Sequence, residues 1–399
     1  MKTAAIVGEF NPFHNGHKLI IEKARQLGAD RVIVLMSGDY VQRGVPAITD
    51  RMVRTHMALL GGADAVLAYP TRFSSSSAEA FASHAIDYFN HLGCVDELIF
   101  GSECGDLEKM EACADVLAFE TPDYKERLHA ELRKGVSFPK ARASALPEFA
   151  ELLETPNNIL GIEYLKALKR TGSAVKPQTV KREGAAYLDE NSLIPLSSAA
   201  AVRHALSRGS GFPGLEQAIP ADAFEILKKD VGTYGIVRAK DLSLLLIDRL
   251  WKLGDPELLA LFEDVTPELA NTIINKRNLF LNFEDFAVRC SSKCLTVSHV
   301  SRALLHIALG IRKDPALDDV RLTRVLGFRK EVAGLIAAIQ KNADFRVIMN
   351  PAQERRQMDG AEGRLFDEEL RVSNLYESIR SQKSGLAIRN SLTKEIIKI

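Results

Sequence analysis

The stretch AAIVGEFNPFHNGHKLII (residues 4–21) decides the fold of the N-terminal half. A short apolar run is followed by a turn containing Pro12 and an Asn-Gly pair, after which an amphipathic helix is predicted to begin at once. His14 and His17 are three residues apart, so on a helix they share one face. Both imidazoles can therefore face whatever lies above the end of the predicted strand.

Three further apolar runs follow at regular intervals, and each predicts a short buried strand. They are RVIVLM (31–36), AVLAY (65–69) and ELIFG (97–101). The segments between them repeat apolar residues with helical period and end in glycine, which is typical of amphipathic helices. Strand and helix in alternation predict the α/β class, with a doubly wound parallel sheet of the Rossmann type and right-handed crossovers.

The second half of the chain has a different character. VKPQTVKRE (175–183) predicts one more strand, and SSAAAVRHAL (197–206) a strand exit into a capped helix. From about residue 215 onward, longer amphipathic helices predict a mainly helical C-terminal domain. Because single cores rarely grow beyond about 250–300 residues, we expect two domains, residues 1–210 and 211–399.

Charge and hydropathy narrow the class of protein. The 399 residues carry 52 basic and 52 acidic side chains, so the whole chain shows no strong preference for a polyanion. Residues 301–399 hold 18 basic and 13 acidic residues, which permits a nucleic-acid contact there. No apolar run reaches the roughly 18 residues of a membrane helix, and the first apolar run is too short for a signal peptide. We expect a cytoplasmic protein without membrane contact.

Five cysteines without a regular framework predict reduced thiols. Cys290 and Cys294, with His299 and His306, could be assembled into a zinc site. The two cysteines fall in a stretch that is predicted to be helical, where buried cysteine is common. We therefore predict no metal site from them.

Ligands of open α/β sheets bind beyond the carboxyl ends of the strands, where this sequence is unusually polar. Gly16 lets the backbone approach a ligand closely, and the following helix directs its N-terminal amides to the same place. Two imidazoles there suit a triphosphate, because they donate to its oxygens and stabilise charge that grows during attack on phosphorus. The alternative is that His14 and His17 are turn and capping residues.

The segment HNGH resembles the HxGH signature of the nucleotidyltransferases, a superfamily that splits ATP between its α and β phosphates. Further segments of the chain resemble those of one family of this superfamily and occur in the same order. They are VLMSGDYVQRGVPAITDR, GADAVLAYP, AEAFASHA, DELIFGSECGD, SFPKARASAL and PNNILGIEYLKAL. The chain resembles the bacterial tRNA(Met) cytidine acetate ligases from residue 1 to about 205, and more thinly to its end. The resemblance implies a nucleotidyltransferase-like domain that forms acetyl-adenylate from acetate and ATP. It also implies transfer of the acetyl group to N4 of the wobble cytidine of elongator tRNA(Met).

The resemblance also assigns roles to residues. His14 and His17 would be catalytic and stabilise the charge passing to pyrophosphate. The ATP-binding residues would be Val7, Gly8, Glu9, Phe10, Asn11, Pro12, Phe13, His14, Asn15, Gly16, His17, Lys18, Leu19, Ile20, Gly101, one of Asn157 and Asn158, and Arg182. Ser198 and Arg203 keep the ends of a phosphate-binding pattern like SSTxxR, although Ala199 and Ala200 stand where Ser and Thr are usual.

The loop MSGDYVQRG (36–44) follows the second predicted strand. It is a candidate for holding phosphate or closing over acetate. Its candidate residues are Ser37, Gly38, Gln42 and Arg43. The alternative is a solvated loop in which Arg43 pairs with Asp39 or Asp50.

The acetate pocket must be small and partly apolar, because water would hydrolyse the mixed anhydride. Phe10, Phe13 and Phe73 are plausible walls, with ordinary core packing as the alternative. Mg²⁺ is a possible companion of ATP, and Glu9 and Asp39 are its only suggested ligands.

The C-terminal half departs from the family pattern. CSSKCLT (290–296) stands where a basic segment like KxKRYT is expected, and VSNLY (372–376) where a motif like TDxY is expected. Lys293, Arg302 and Arg312 remain as candidate tRNA contacts, with a solvated helix face as the alternative.

The departures from the family pattern in the C-terminal half leave two other hypotheses about function open. One is a nucleotidyltransferase for a small phosphorylated metabolite, and the other is a nucleotide- or RNA-binding relative without turnover.

Overall fold

The computed structural model describes residues 1–182, 194–208 and 214–399. Its strands are β1 Thr3–Gly8, β2 Arg31–Ser37, β3 Tyr40–Val41, β4 Val45–Pro46, β5 Ala65–Tyr69, β6 Glu97–Ser102, β7 Lys176–Lys181, β8 Leu322–Phe328, β9 Arg346–Ile348 and β10 Ile397–Lys398. The helices of the first half are α1 Asn15–Gln26, α2 Arg51–Leu60, α3 Thr71–Ser74, α4 Ala78–Leu92, α5 Leu107–Phe119, α6 Pro122–Leu132, α7 Phe138–Ala145, α8 Pro156–Thr171 and α9 Ala199–Ser207. Those of the second half are α10 Leu215–Ala218, α11 Ala221–Tyr234, α12 Ser243–Leu253, α13 Pro256–Leu259, α14 Pro267–Lys276, α15 Phe283–Cys290, α16 Val297–Leu309, α17 Pro315–Asp318, α18 Ala333–Asn342, α19 Pro351–Glu354 and α20 Gly360–Ser384. Within these ranges no helix is both long enough and apolar enough to cross a membrane.

The five strands predicted up to residue 183 form one parallel sheet in the order β5-β2-β1-β6-β7. This confirms the predicted α/β class and its doubly wound parallel core. The central strand β1 pairs on both sides, with Ile6 opposite Val34 of β2 and Ala5 opposite Leu98 of β6. Its exit turn therefore lies at the middle of the carboxyl edge.

The C-terminal half returns to this sheet, which the sequence did not lead us to expect. Strand β8 pairs antiparallel with β5, and β9 and β10 each pair parallel with β8. An antiparallel strand beyond the edge of a parallel sheet is a common arrangement in α/β proteins. The division at residue 210 stays a prediction, while β8, β9 and β10 extend the N-terminal sheet.

Side chains of the sheet alternate between two apolar clusters, one on each face. On one face α4, α5 and α8 contribute residues such as Phe81, Met110 and Tyr164. On the other, α1, α2, α9 and α11 contribute residues such as Ile21 and Val202. A third cluster joins α12, α14, α15, α16 and α20, as expected for a mainly helical second half. The predicted strand exit before α9 is wrong, because residues 194–198 form a turn and a cap.

One buried arginine closes the carboxyl edge of the sheet between β1 and β2. Arg54 of α2 is fully buried. Its guanidinium donates to the carbonyl oxygens of Glu9 (2.6 Å), Ser37 (3.1 Å), Thr49 (3.2 Å) and Gly38. These carbonyls belong to the segments that leave β1 and β2 and to the turn before α2. Arg54 therefore fixes the positions from which both predicted site loops start.

Candidate active site

A cavity of about 220 Å³ lies at the carboxyl ends of β1 and β6. The N-terminal ends of three helices contribute to its wall: His14 at α1, Asn157 at α8, and Ser198 at α9. Helix N-termini present unpaired amides and the positive end of the helix dipole. Three of them at one cavity make it suited to an anionic ligand.

The two histidines are held by reciprocal hydrogen bonds at the start of α1. His14 is the N-cap, and its Nδ1 accepts from the amide of Gly16 at 3.0 Å. Nδ1 of His17 accepts from the amide of His14 at 3.2 Å. The ring centroids are 3.8 Å apart, and both side chains line the cavity. The histidines therefore cap α1 and line the cavity at the same time. The ligand-binding role and the capping role predicted as alternatives do not exclude each other.

These hydrogen bonds determine which ring nitrogen carries the proton. Because each Nδ1 accepts from a backbone amide, the neutral rings of His14 and His17 carry hydrogen on Nε2. Burial, followed by the charges of Arg182 and Arg203, lowers the pKa of His14 to about 3. Burial, followed by His14 and the same arginines, lowers the pKa of His17 well below 6.5. In the unliganded protein at neutral pH both rings are uncharged donors.

Two glycines make room for this arrangement. A Cβ on Gly16 would lie 2.8 Å from the ring of His14, and a Cβ on Gly8 would lie 2.7 Å from the ring of Phe10. Phe10 adopts a positive φ of 45°, which is uncommon for a residue with a side chain. Its ring packs on His17 with centroids 4.6 Å apart. The turn after β1 thus folds back over the start of α1.

Arginines surround the histidines. Arg43, Arg182 and Arg203 line the cavity. Arg203 donates to the carbonyl of Asn11 at 2.8 Å, and burial lowers the pKa of Arg182. Two alanines, Ala199 and Ala200, also lie in the wall, at the places where the family pattern has hydroxyl side chains. The positive charge at this end therefore comes from side chains of three separate segments.

The start of α8 is locked to the loop after β6. The carboxylate of Glu103 accepts from the amide of Asn158 (2.8 Å) and from the amide and Nδ2 of Asn157 (3.2 and 2.6 Å). In return, Oδ1 of Asn158 accepts from the amides of Glu103 (2.9 Å) and Cys104 (3.1 Å). Of the two alternatives, Asn157 lines the cavity and Asn158 is buried beneath it.

The cavity brings together most of the residues that the sequence suggested. Those in its wall are Val7, Gly8, Glu9, Phe10, Asn11, His14, His17, Ile20, Gln42, Arg43, Gly101, Asn157, Arg182, Ser198 and Arg203. Gly16 and Leu19 line a smaller adjoining cavity that also contains Arg182. The remaining candidates outside both walls are Pro12, Phe13, Asn15, Lys18, Ser37, Gly38 and Asn158.

Several residues outside the wall have identifiable structural partners. Phe13 is fully buried, and Gly61 lacks the Cβ that would lie 2.2 Å from its ring. Asn15 donates from Nδ2 to the carbonyls of Pro195 (2.9 Å) and Gln217 (2.7 Å). These residues shape the turn and anchor α1 to its neighbours. The suggested pocket wall Phe73 is likewise in the core, stacked on His84 with centroids 4.4 Å apart.

The two suggested metal ligands, Glu9 and Asp39, do not both line the cavity. Glu9 lines the cavity and accepts from the amide of Gln42 at 3.1 Å. Asp39 is buried outside the wall and accepts from the amide of Arg51 at 3.1 Å. Across the part of the chain that the structure describes, no three His, Cys, Asp or Glu side chains are grouped as a metal site would require.

The cysteine and histidine residues near residue 300 have separate surroundings. Cys290 is buried at the end of α15, whereas Cys294 is exposed in the loop after it, with Sγ 3.3 Å from the carbonyl of Gly135. The prediction that both lie in a helix is wrong, because α15 ends at Cys290. Nε2 of His306 lies 2.9 Å from the hydroxyl of Ser75.

Sequence reasoning missed one part of the wall. Phe81, Phe100, Leu160 and Tyr164 line the cavity from the face of the sheet that carries α4 and α8. In the sequence they belong to regular helix and strand patterns, which read as core. The turn motifs gave no sign that these side chains close the far side of the site.

Because His14 is buried as a neutral ring, its removal should change how stability depends on pH. Its pKa is about 3 in the folded protein and near 6.5 in an unfolded chain. Between these values the unfolded chain binds more protons, so the free energy of unfolding falls as the pH falls from 6.5 towards 3. The His14→Asn substitution keeps a good N-cap and removes this titration. We expect the variant to lose about 3 kcal/mol less stability than wild type between pH 7 and pH 4.

Urea unfolding of both proteins at the two pH values measures this difference. His56→Asn, on the outer part of α2, is the control, because His56 is only partly buried and should change the pH dependence far less. Equal losses of stability in wild type and His14→Asn would contradict the prediction.

Comparison with known proteins gives a consistent result. The sequence model of the HIGH nucleotidyl transferase family matches residues 1–389. A tRNA(Met) cytidine acetate ligase of Caldanaerobacter subterraneus is 35% identical over 386 residues, with 94% of this chain and 95% of that protein covered. One from Halothermothrix orenii is 33% identical over 422 residues and covers 100% of both chains. The crystal structure of Thermotoga maritima TmcAL bound with alpha-thio ATP matches with a TM-score of 0.88 at 27% identity, covering 100% of both chains.

Proposed function

Because the chain belongs to the tRNA(Met) cytidine acetate ligase family, within the HIGH nucleotidyl transferases, we propose that it is an ATP-dependent ligase of this specificity. It activates acetate as acetyl-adenylate and transfers the acetyl group to N4 of the wobble cytidine of elongator tRNA(Met). The observation that carries the chemistry is the pair His14 and His17, whose Nε2 donors share one cavity with three helix N-termini.

In the first step an acetate oxygen attacks the α-phosphorus of ATP. A bond forms between that oxygen and phosphorus, and the bond from phosphorus to the oxygen bridging to the β-phosphate breaks. Pyrophosphate leaves with the electron pair. We propose that His14 and His17 donate hydrogen bonds to the oxygens on which this charge grows, with the start of α1 behind them.

In the second step the N4 amine of cytidine attacks the acetyl carbonyl carbon. The carbon–oxygen bond to the adenylate breaks, AMP leaves with the electron pair, and the proton lost from nitrogen passes to solvent. Neither step needs a covalent enzyme intermediate. The protein's tasks are to place the reactants and to exclude water from the mixed anhydride.

We propose that ATP lies with its phosphates at His14, His17 and Arg203 and with its nucleoside towards Gly101 and Asn157. Gly101 supports this placement, since it lines the cavity together with Ile20 and Arg182. Mg²⁺ bound to ATP phosphates would neutralise charge there. Glu9, which lines the cavity, would be the protein carboxylate available to hold it.

We propose that the helical C-terminal half provides the tRNA contacts. Lys293 is exposed in the loop after α15. Arg302 is paired with Asp264 at 2.8 Å, and Arg312 lies over the ring of Phe262 with its charge exposed. Lys293 and Arg312 are therefore better placed than Arg302 to meet RNA phosphates. We propose that the enzyme acts in the cytoplasm, where tRNA and ATP are available.

The test uses the full-length protein with ATP and acetate, with labelled pyrophosphate for the first step and labelled acetate for the second. Without tRNA, acetate-dependent exchange of pyrophosphate into ATP should appear, because the first step is complete in itself. Addition of unmodified elongator tRNA(Met) should give N4-acetylcytidine at the wobble position, and a tRNA with uridine there should not. Formation of a nucleoside diphosphate metabolite from a phosphate ester, without acetate-dependent exchange, would favour the metabolite alternative. ATP binding with no turnover of any kind would favour the non-catalytic one.

A further inference from the structure

The far side of the cavity contains a buried hydroxyl without a partner. We propose that the Tyr164 hydroxyl, together with the aromatic rings of Phe81 and Phe100, forms the subsite that binds the small carboxylate substrate. This inference rests on the proposed function and adds the location of its second substrate.

Tyr164 differs from other buried tyrosines in its surroundings. Its side chain is 2% exposed, and its hydroxyl has no hydrogen-bond partner among the described residues. In contrast, the hydroxyls of Tyr69, Tyr88 and Tyr376 donate to backbone carbonyls at 2.7–2.8 Å. Buried polar groups are almost always paired in folded proteins. Among the buried side-chain atoms without a partner in the described residues, the Tyr164 hydroxyl alone belongs to a residue of the cavity wall, so it is the orphan donor available to an acceptor of a ligand there.

The surroundings of this hydroxyl match a carboxylate with a short apolar tail. Burial, followed by the charge of Glu9, raises the pKa of Tyr164, so the group stays a donor. The ring of Phe100 lies 5.8 Å from that of Tyr164, and Phe81 is also in the wall. A Cβ on Gly161 would lie 2.6 Å from the ring of Phe100, so this glycine allows the ring to pack there. A methyl group fits against such rings, while the carboxylate accepts from the hydroxyl.

The in-line geometry of attack on the α-phosphorus favours acetate, rather than adenine, as the group bound beside Tyr164. The attacking and leaving oxygens lie roughly in line through phosphorus. The histidines, which face the leaving pyrophosphate, belong to the side of the sheet that carries α1, and His17 packs on Phe10 of that cluster. Tyr164 and Phe81 belong to the cluster on the opposite face. The nucleophile should therefore approach from the Tyr164 side.

The test is steady-state pyrophosphate exchange by full-length wild type and Tyr164→Phe, with acetate and ATP varied in turn. Loss of one hydrogen bond to a charged group should raise the KM for acetate about tenfold or more. The KM for ATP should stay within about twofold, because the hydroxyl does not contact the nucleotide. Thermal stability should not fall, because no described residue of the protein hydrogen-bonds to this hydroxyl.

Tyr88→Phe is the matched control. Tyr88 is buried on the same face, but its hydroxyl donates to the carbonyl of Leu322 at 2.8 Å and lies outside the cavity wall. This control should lose stability and keep both KM values.

Each other outcome overturns the inference. A higher KM for ATP in Tyr164→Phe, alone or with that for acetate, would place the hydroxyl at the nucleotide. Unchanged constants would mean that the hydroxyl meets only water, for example between itself and Glu9. Absence of acetate-dependent exchange in wild type would reject the proposed function as well, which separates the two failures.

Discussion

The His17→Asn enzyme is expected to form acetyl-adenylate about 10²–10³-fold more slowly than wild type, the usual effect of removing one preorganised donor from a transition state. The substitution is selective because of how the ring is held. Asparagine offers Oδ1 where His17 presents Nδ1, so the hydrogen bond from the amide of His14 (3.2 Å) can be kept. What is lost is the Nε2 donor inside the cavity. His14→Asn should behave alike, since asparagine is a preferred N-cap residue.

Single-turnover formation of acetyl-adenylate at saturating ATP and acetate measures this effect without contributions from product release. The KM for ATP should rise much less than the rate falls, because the donors act most strongly on charge that develops during the reaction. His56→Asn serves as the control outside the cavity and should keep the wild-type rate. Wild-type rates in both His14→Asn and His17→Asn would contradict the catalytic role and leave only the capping role.

The strands of the N-terminal half could be predicted because their physical causes are local. A continuous apolar run such as RVIVLM (31–36) must be buried on both faces, and the glycine-terminated helices between such runs allow only a few topologies. LTRVLGF (322–328) is also a strand, fully buried, but its neighbour β5 lies more than 250 residues earlier. No local pattern predicts which distant strand accepts it, so the sequence did not reveal that the C-terminal half completes the sheet.

The residues of the site likewise divide into those placed by the local sequence and those placed by tertiary packing. His14, His17 and Gly16 lie in one short turn, and their spacing places them together whatever the rest of the chain does. Tyr164 reaches the cavity only because α8 packs under β6, with Gly161 admitting the ring of Phe100. Its helical pattern is that of an ordinary core residue. Arg54 was missed for the same reason, since a single arginine in an amphipathic helix gives no sign that it will be buried.

Arg54→Met is expected to lower the free energy of unfolding by about 4 kcal/mol or more, since four carbonyl oxygens lose their donor, three of them on buried residues. Methionine roughly replaces the aliphatic part of the side chain, so the loss should come mainly from the hydrogen bonds to Glu9, Ser37, Thr49 and Gly38. Urea unfolding measures it directly. The variant should also bind ATP more weakly in calorimetry, because the turn after β1 begins at one of the released carbonyls.

Arg355→Met is the control for removing an arginine as such. Arg355 forms a two-point ion pair with Asp367 at 2.6 Å, but both side chains are partly exposed. Loss of such a pair should change stability by less than about 1 kcal/mol. Similar losses in Arg54→Met and Arg355→Met would contradict the role of Arg54 as the buried link between the two site loops. A large loss confined to Arg54→Met, accompanied by weaker ATP binding, would mean that the positions of the β1 and β2 exits depend on one side chain from α2.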